Sequence, residues 1–149
     1  MPAIYIIATV LVLLFLIGAY RMMGAGASID EDLRTVLDAV LATTDAAATS
    51  LAATAESGDA EGAHAVRRQL DGCAQALERI AATPVVESLD RARSALERAV
   101  DELTWSARLV EAPAWRRDES LRAASRALRS QGAANVAQAR SAIEVSALP

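Results

Sequence analysis

The sequence predicts an all-α protein: an N-terminal transmembrane helix followed by an antiparallel up-down-up-down four-helix bundle. Three observations predict it. No charged side chain occurs from Met1 to Tyr20. Beyond that segment, apolar residues recur at alternating spacings of three and four, the period of an amphipathic helix. Only 7 Gly and 4 Pro interrupt 149 residues, too few for the frequent turns of a sandwich or barrel.

The first element is the run Ile4 to Ile17, nearly all strongly apolar, within residues 1–23. As a helix it spans about 27–30 Å, close to a bilayer core, so residues 3–22 are expected to meet lipid. Tyr5 and Tyr20 fall near its ends, where amphipathic rings prefer the headgroup zone, and Arg21 can snorkel just beyond. Gly24-Ala-Gly26, inside residues 24–27, reads as a flexible joint. The competing reading is a signal peptide cleaved after Ala27, since Ala25-Gly26-Ala27 has the small-x-small pattern. Against cleavage stand the uncharged Met-Pro-Ala start, the length of the apolar run and the arginine that follows it. Arg21 and Arg34 both lie on the C-terminal side, so the positive-inside rule keeps the bundle in the cytoplasm.

The bundle occupies 28–149. Its first helix, about 28–57, opens with Ser28-Ile-Asp-Glu31, which has capping-box spacing. Leu33, Leu37, Val40, Thr44, Ala47 and Leu51 form its stripe, and Gly58-Asp59 ends it, with Asp59 placed to cap the next helix. The second, about 59–82, carries Ala63, Val66, Leu70, Cys73, Leu77 and Ile80 as a heptad seam. Thr83-Pro84 then reads as a cap followed by proline at the first helical position, starting a third helix over about 84–112. That helix holds Val86, Leu89, Leu96, Val100, Leu103, Ala107 and Val110 in register, with Arg93 the one exception. The fourth, about 118–146, carries Leu121, Ala124, Leu128, Gly132, Val136, Ala139 and Ile143, and the drift at Gly132 predicts a kink or break there. Connections of roughly two to five residues favour antiparallel neighbours.

Composition excludes several functions. The net charge of -4 leaves no basic footprint, so no nucleic acid is expected as a partner. Aromatics at 3% leave the core to aliphatic side chains and offer no platform for stacking bases. All 15 basic residues are arginine, which with abundant alanine reads as the composition of a GC-rich bacterial genome. The single cysteine, Cys73, excludes an internal disulfide and a Cys-rich metal site, and its seam position reads as a small buried side chain.

Glu61-Gly-Ala-His64 matches the Glu-x-x-His spacing of di-metal bundles, but one histidine cannot supply the second motif such a site needs. Asp101 and Glu102 are adjacent on a helix and point apart, which makes them poor partners for acid/base work. With no phosphate loop and no nucleophile elbow, no catalytic residue, cofactor or metal is expected. The most unusual stretch is Pro113 to Arg129, where Arg116, Arg117, Arg122, Arg126 and Arg129 face only Asp118 and Glu119. Trp115 with these arginines combines the residue types enriched at interface hot spots, and this set is the candidate partner-binding site. The plainer readings are a solvated face paired with Asp90, Glu97 or Asp101, and a Trp115 that plugs the bundle end.

The sequence thus reads as a single-pass membrane protein whose bundle is a non-catalytic interaction module, an accessory or scaffold subunit of a membrane complex. Another membrane protein is the expected partner, and a homo-oligomer is compatible with it. The alternatives are an envelope-facing helical adaptor or ligand-sensing domain and, from another class, a small helical enzyme.

Overall fold

The computed structural model describes residues 29–146. Among them the chain forms four helices and no strand: α1 (Ile29–Ser57), α2 (Ala60–Ile80), α3 (Glu87–Glu111) and α4 (Glu119–Ser146). The expected anchor, the joint and the Ser28 cap lie outside the described residues.

The α1–α2 turn follows from two adjacent residues. Gly58 takes φ +65, a left-handed conformation that glycine adopts without steric cost. The Asp59 N–H then donates to the Thr54 carbonyl at 2.9 Å, which ends α1 in a Schellman arrangement. The Asp59 carboxylate accepts from the Gly62 N–H at 3.0 Å and caps α2, as its position in the sequence suggests.

The next turn departs from the expected boundaries. α2 ends at Ile80 rather than 82, and α3 begins at Glu87 rather than 84, with Val86 at its N-cap and no side-chain cap bond. Pro84 therefore lies in a loop and Thr83 caps nothing. The cause is Arg93, the residue that broke the heptad. Its guanidinium reaches back from α3 and donates to the carbonyls of Ile80 at 3.1 Å, Ala81 at 3.0 Å and Thr83 at 3.5 Å, while also pairing with Asp90. Satisfying carbonyls at the C-terminus of α2 with a cation stabilises an early stop.

α3 ends at Glu111, and two tight turns over Ala112–Asp118 lead into α4. The Asp118 carboxylate accepts from the N–H groups of Ser120 at 2.8 Å and Leu121 at 3.4 Å, and from the Ser120 hydroxyl at 2.6 Å. These bonds to the charged form, that of the Ser120 hydroxyl first, hold its carboxyl below the ordinary aspartate value. α4 then runs unbroken through Gly132, so the expected break is absent. Gly132 is buried because it receives Leu103: a β-carbon there would stand 2.8 Å from Leu103 Cγ.

α3 packs against all three other helices. Toward α4 it presents Ala99 and Ser106, both buried, and such small side chains let the two backbones approach closely. Ser106 and Ser125 meet at this seam with their hydroxyl oxygens 2.7 Å apart, and the Ser106 hydroxyl also lies 3.2 Å from the Ser125 carbonyl. That bond explains why Ser125 is buried where the sequence suggested Ala124, which is exposed. The rest of the core is aliphatic, with Leu37, Leu51, Leu70, Leu96 and Leu103 fully enclosed. One described helix, over Asp30–Ser57, is long and apolar enough to cross a membrane by length and composition. Its apolar stripe from Leu33 to Ala55 is packed into the core.

Candidate functional site

The Pro113–Arg129 stretch divides into structural and free groups. Trp115 is only 5% exposed and belongs to the core. Its ring lies below the α1–α2 turn, where a β-carbon on Gly58 would come 3.5 Å from Trp115 Cδ1 and 3.1 Å from Arg116 Nε. The Arg116 guanidinium donates to the Gly58 carbonyl at 3.5 Å. Trp115 therefore plugs the bundle end, and its ring is withdrawn from any contact surface.

Arg122 is also structural. Its guanidinium donates to the carbonyls of Arg116 at 2.6 Å and Trp115 at 3.4 Å, closing the turn, and to Glu119 at 2.9 Å. Arg126 donates to the other Glu119 oxygen at 2.8 Å. Hydrogen bonds from Arg126 and then Arg122 hold the Glu119 carboxyl below the ordinary glutamate value. The arginines thus pair within α4, and none reaches Asp90, Glu97 or Asp101. Arg117 is exposed. Arg129 makes no hydrogen bond or ion pair among the described residues, although its Nε is buried.

A second exposed feature lies on the outer side of α3. Trp105 on α3 is 50% exposed, and the Arg108 guanidinium lies 4.7 Å from its ring centroid, in cation-π contact. The signal that could have found it is positional: Trp105 falls between Leu103 and Ala107, where the heptad expects a polar outer residue.

Two grooves run between helices and share no helix. One, between α2 and α3, is floored by Ala74, Leu77 and Val100 and rimmed by Asp71, Glu78, Glu97 and Asp101. Of these carboxylates only Asp71 has an ion pair among the described residues, with Arg67 at 3.8 Å. The other, between α1 and α4, is lined by Ala48, Ala52 and Ala133 with Arg126, Arg129 and Asp45, and Asp45 is paired with Arg140 at 3.0 Å.

His64 lies 2.9 Å from Arg67 and 3.5 Å from Glu111 of α3. Among the described residues no three His, Cys, Asp or Glu side chains converge on a metal position. Cys73 is buried; burial pushes its thiol up, opposed by a hydrogen bond with Thr44 of α1. No protein-family model, curated protein or solved structure matches the chain.

Proposed function

We propose that the chain is a membrane-anchored, non-catalytic interaction module, held by residues 3–22 and serving as an accessory or scaffold subunit of a membrane complex. The observation that carries this reading is where polar chemistry lies. The buried polar side chains of the described residues are Thr44, Ser106 and Ser125. Each is spent on internal bonding, Thr44 to the Val40 carbonyl at 2.8 Å and the two serines to each other. Charged groups, the Trp105–Arg108 pair and both grooves lie on the outside. A scaffold with an aliphatic interior and a chemically varied surface is suited to binding proteins rather than transforming small molecules.

The helices are taken to form an antiparallel up-down-up-down bundle. Supporting it, Arg67 near the start of α2 bonds Glu111 at the end of α3, and Arg93 near the start of α3 bonds Ile80 at the end of α2. The Ser106–Ser125 and Glu102–Asn135 bonds support the same opposed register for α3 and α4. In that arrangement the start of α1 and the end of α4 face the membrane, and Gly58 and Trp115 form the distal tip. Arg21 and Arg34 support a cytoplasmic bundle.

The test uses the full chain in cells. It should stay with membranes after high-salt and alkaline washing, because apolar insertion is insensitive to both. A cysteine at exposed Glu56 should resist a membrane-impermeant thiol reagent in intact cells, with buried Cys73 contributing no signal. Release by the washes overturns the anchor, and labelling at residue 56 places the bundle outside. Co-purification from mild detergent of a partner subunit lost on Trp105→Ala supports the interaction role.

A further inference from the structure

We infer that copies of this chain associate side by side, the α1/α4 groove of one receiving its charge partners from the α2/α3 groove of the next. Two independent observations meet here. On the α2/α3 side, Glu78, Glu97 and Asp101 have no ion pair among the described residues and rim an apolar floor. On the α1/α4 side, Arg129 has no acceptor for its guanidinium, and its buried Nε has lost water without gaining a bond. A partly buried cation with no partner is an unusual expense in a native protein, and a carboxylate brought to the groove would relieve it.

The two grooves share no helix, so binding at one leaves the other free. They also lie at the same level along the bundle. Ser106 meets Ser125 and Leu103 seats at Gly132, which puts residues 101–106 of α3 beside residues 125–132 of α4. Asp101 and Arg129 therefore differ in height by about one helical turn, roughly 5 Å, within reach of an arginine side chain. Two copies standing upright in one membrane present these groups to each other without tilting. This parallel orientation rests on the anchored reading; the charge contact itself does not. The contact is heterologous, acidic face to basic face, so it adds further copies into rows, or into a ring where the rotation between copies closes.

The experiment uses the full chain in detergent micelles and follows its mass by sedimentation across protein and salt concentration. Association should appear at low salt and weaken as salt rises. Asp101→Arg and Arg129→Glu should each raise the apparent dissociation constant at least about tenfold, with Arg126→Glu as a second basic-face variant should Arg129→Glu lose helical circular dichroism. Mixing the two single variants is decisive. Each keeps one intact face, and the two reversed faces are complementary to each other, so the mixture should recover the association that either variant alone has lost. A chain that is monomeric at every concentration, as when these grooves serve a different protein, overturns the inference. So does association that ignores both substitutions, or a mixture that fails to recover. Membrane retention is read separately, so failure of this contact and failure of the anchor are distinguishable.

Discussion

Leu103 of α3 occupies the space that a β-carbon on Gly132 of α4 would need, with its Cγ 2.8 Å and its Cδ2 3.0 Å from that position. Leu103 is fully buried, and the Ala99 carbonyl stands 3.6 Å from the same β-carbon position, so the leucine is enclosed where it would have to yield. Alanine favours a helix over glycine by about 1 kcal/mol, whereas overpacking a core costs about 1–3 kcal/mol. Gly132→Ala should therefore lower the melting temperature. Gly72 on α2 is the control: nothing lies within 4 Å of its would-be β-carbon, and Gly72→Ala should raise the melting temperature. Leu103→Ala alone should cost about 2–5 kcal/mol. The Gly132→Ala, Leu103→Ala double variant should lose less than the sum of the two, because each relieves the other. Strict additivity in thermal melts would contradict this packing.

Arg93 ties the α2–α3 turn to α3, and its side chain is only 15% exposed. Arg93→Met keeps much of the aliphatic stem but removes the donors, leaving the Ile80, Ala81 and Thr83 carbonyls to water. The expected loss is about 1–3 kcal/mol, the range for hydrogen bonds made by a charged group. Amide hydrogen exchange should speed up selectively over residues 79–86. A uniform increase across all four helices would instead mean that Arg93 supports the global fold and not this turn.

The periodic part of this architecture was legible in the sequence because helix packing repeats. Leu33, Leu37, Val40, Thr44, Ala47 and Leu51 are all buried as the spacing predicts, and so are Ala63, Val66, Leu70, Cys73 and Leu77. What was illegible depends on single tertiary contacts. Nothing near Val86 in the sequence says that Arg93 will draw the preceding carbonyls toward itself, and Val86 is 47% exposed despite its heptad position. The burial of Ser125 requires Ser106, nineteen residues earlier. Trp115 lies in a turn, where periodicity carries no information, and its burial follows from its place in the core beside the Gly58 turn. The unmet charge of Arg129 has the same origin, since a guanidinium without a partner is visible only once every neighbour is placed.

The Asp118 cap predicts a pH dependence. The folded carboxyl titrates below its unfolded value, which is about 3.9. A depressed folded pKa contributes stability that is fully present above the unfolded value and is lost as pH falls through the folded one. The melting temperature of the wild type should thus decline as pH drops below about 4. Asp118→Asn retains an acceptor for the N–H groups of Ser120 and Leu121 but removes this titration. It should show a shallower decline while keeping most of the stability at neutral pH. An acid profile unchanged in Asp118→Asn would assign the decline to other carboxylates, of which Glu119 is the first to examine by the same substitution.

The two tryptophans should behave in opposite ways. Trp115 is 5% exposed beneath the Gly58 turn, and truncating a buried aromatic costs about 3–5 kcal/mol, so Trp115→Ala should lower the melting temperature sharply. Trp105 is half exposed and touches solvent and the Arg108 guanidinium. Losing an exposed cation-π contact costs about 0.5–1 kcal/mol, so Trp105→Ala should melt close to the wild type. Fluorescence separates them without a partner: the emission of Trp105 should be quenched by iodide and that of Trp115 protected, as read in the two single Trp→Phe variants. Binding then assigns their roles. Trp and Arg are the residue types most enriched at hot spots, and of these two rings Trp105 is the one in reach of another protein. Trp105→Ala should therefore reduce capture of a partner subunit from detergent-solubilised membranes, and Trp115→Phe, which keeps the plug filled, should leave it unchanged. The reverse pattern would return the contact site to the Trp115 turn and require that ring to leave its pocket on binding.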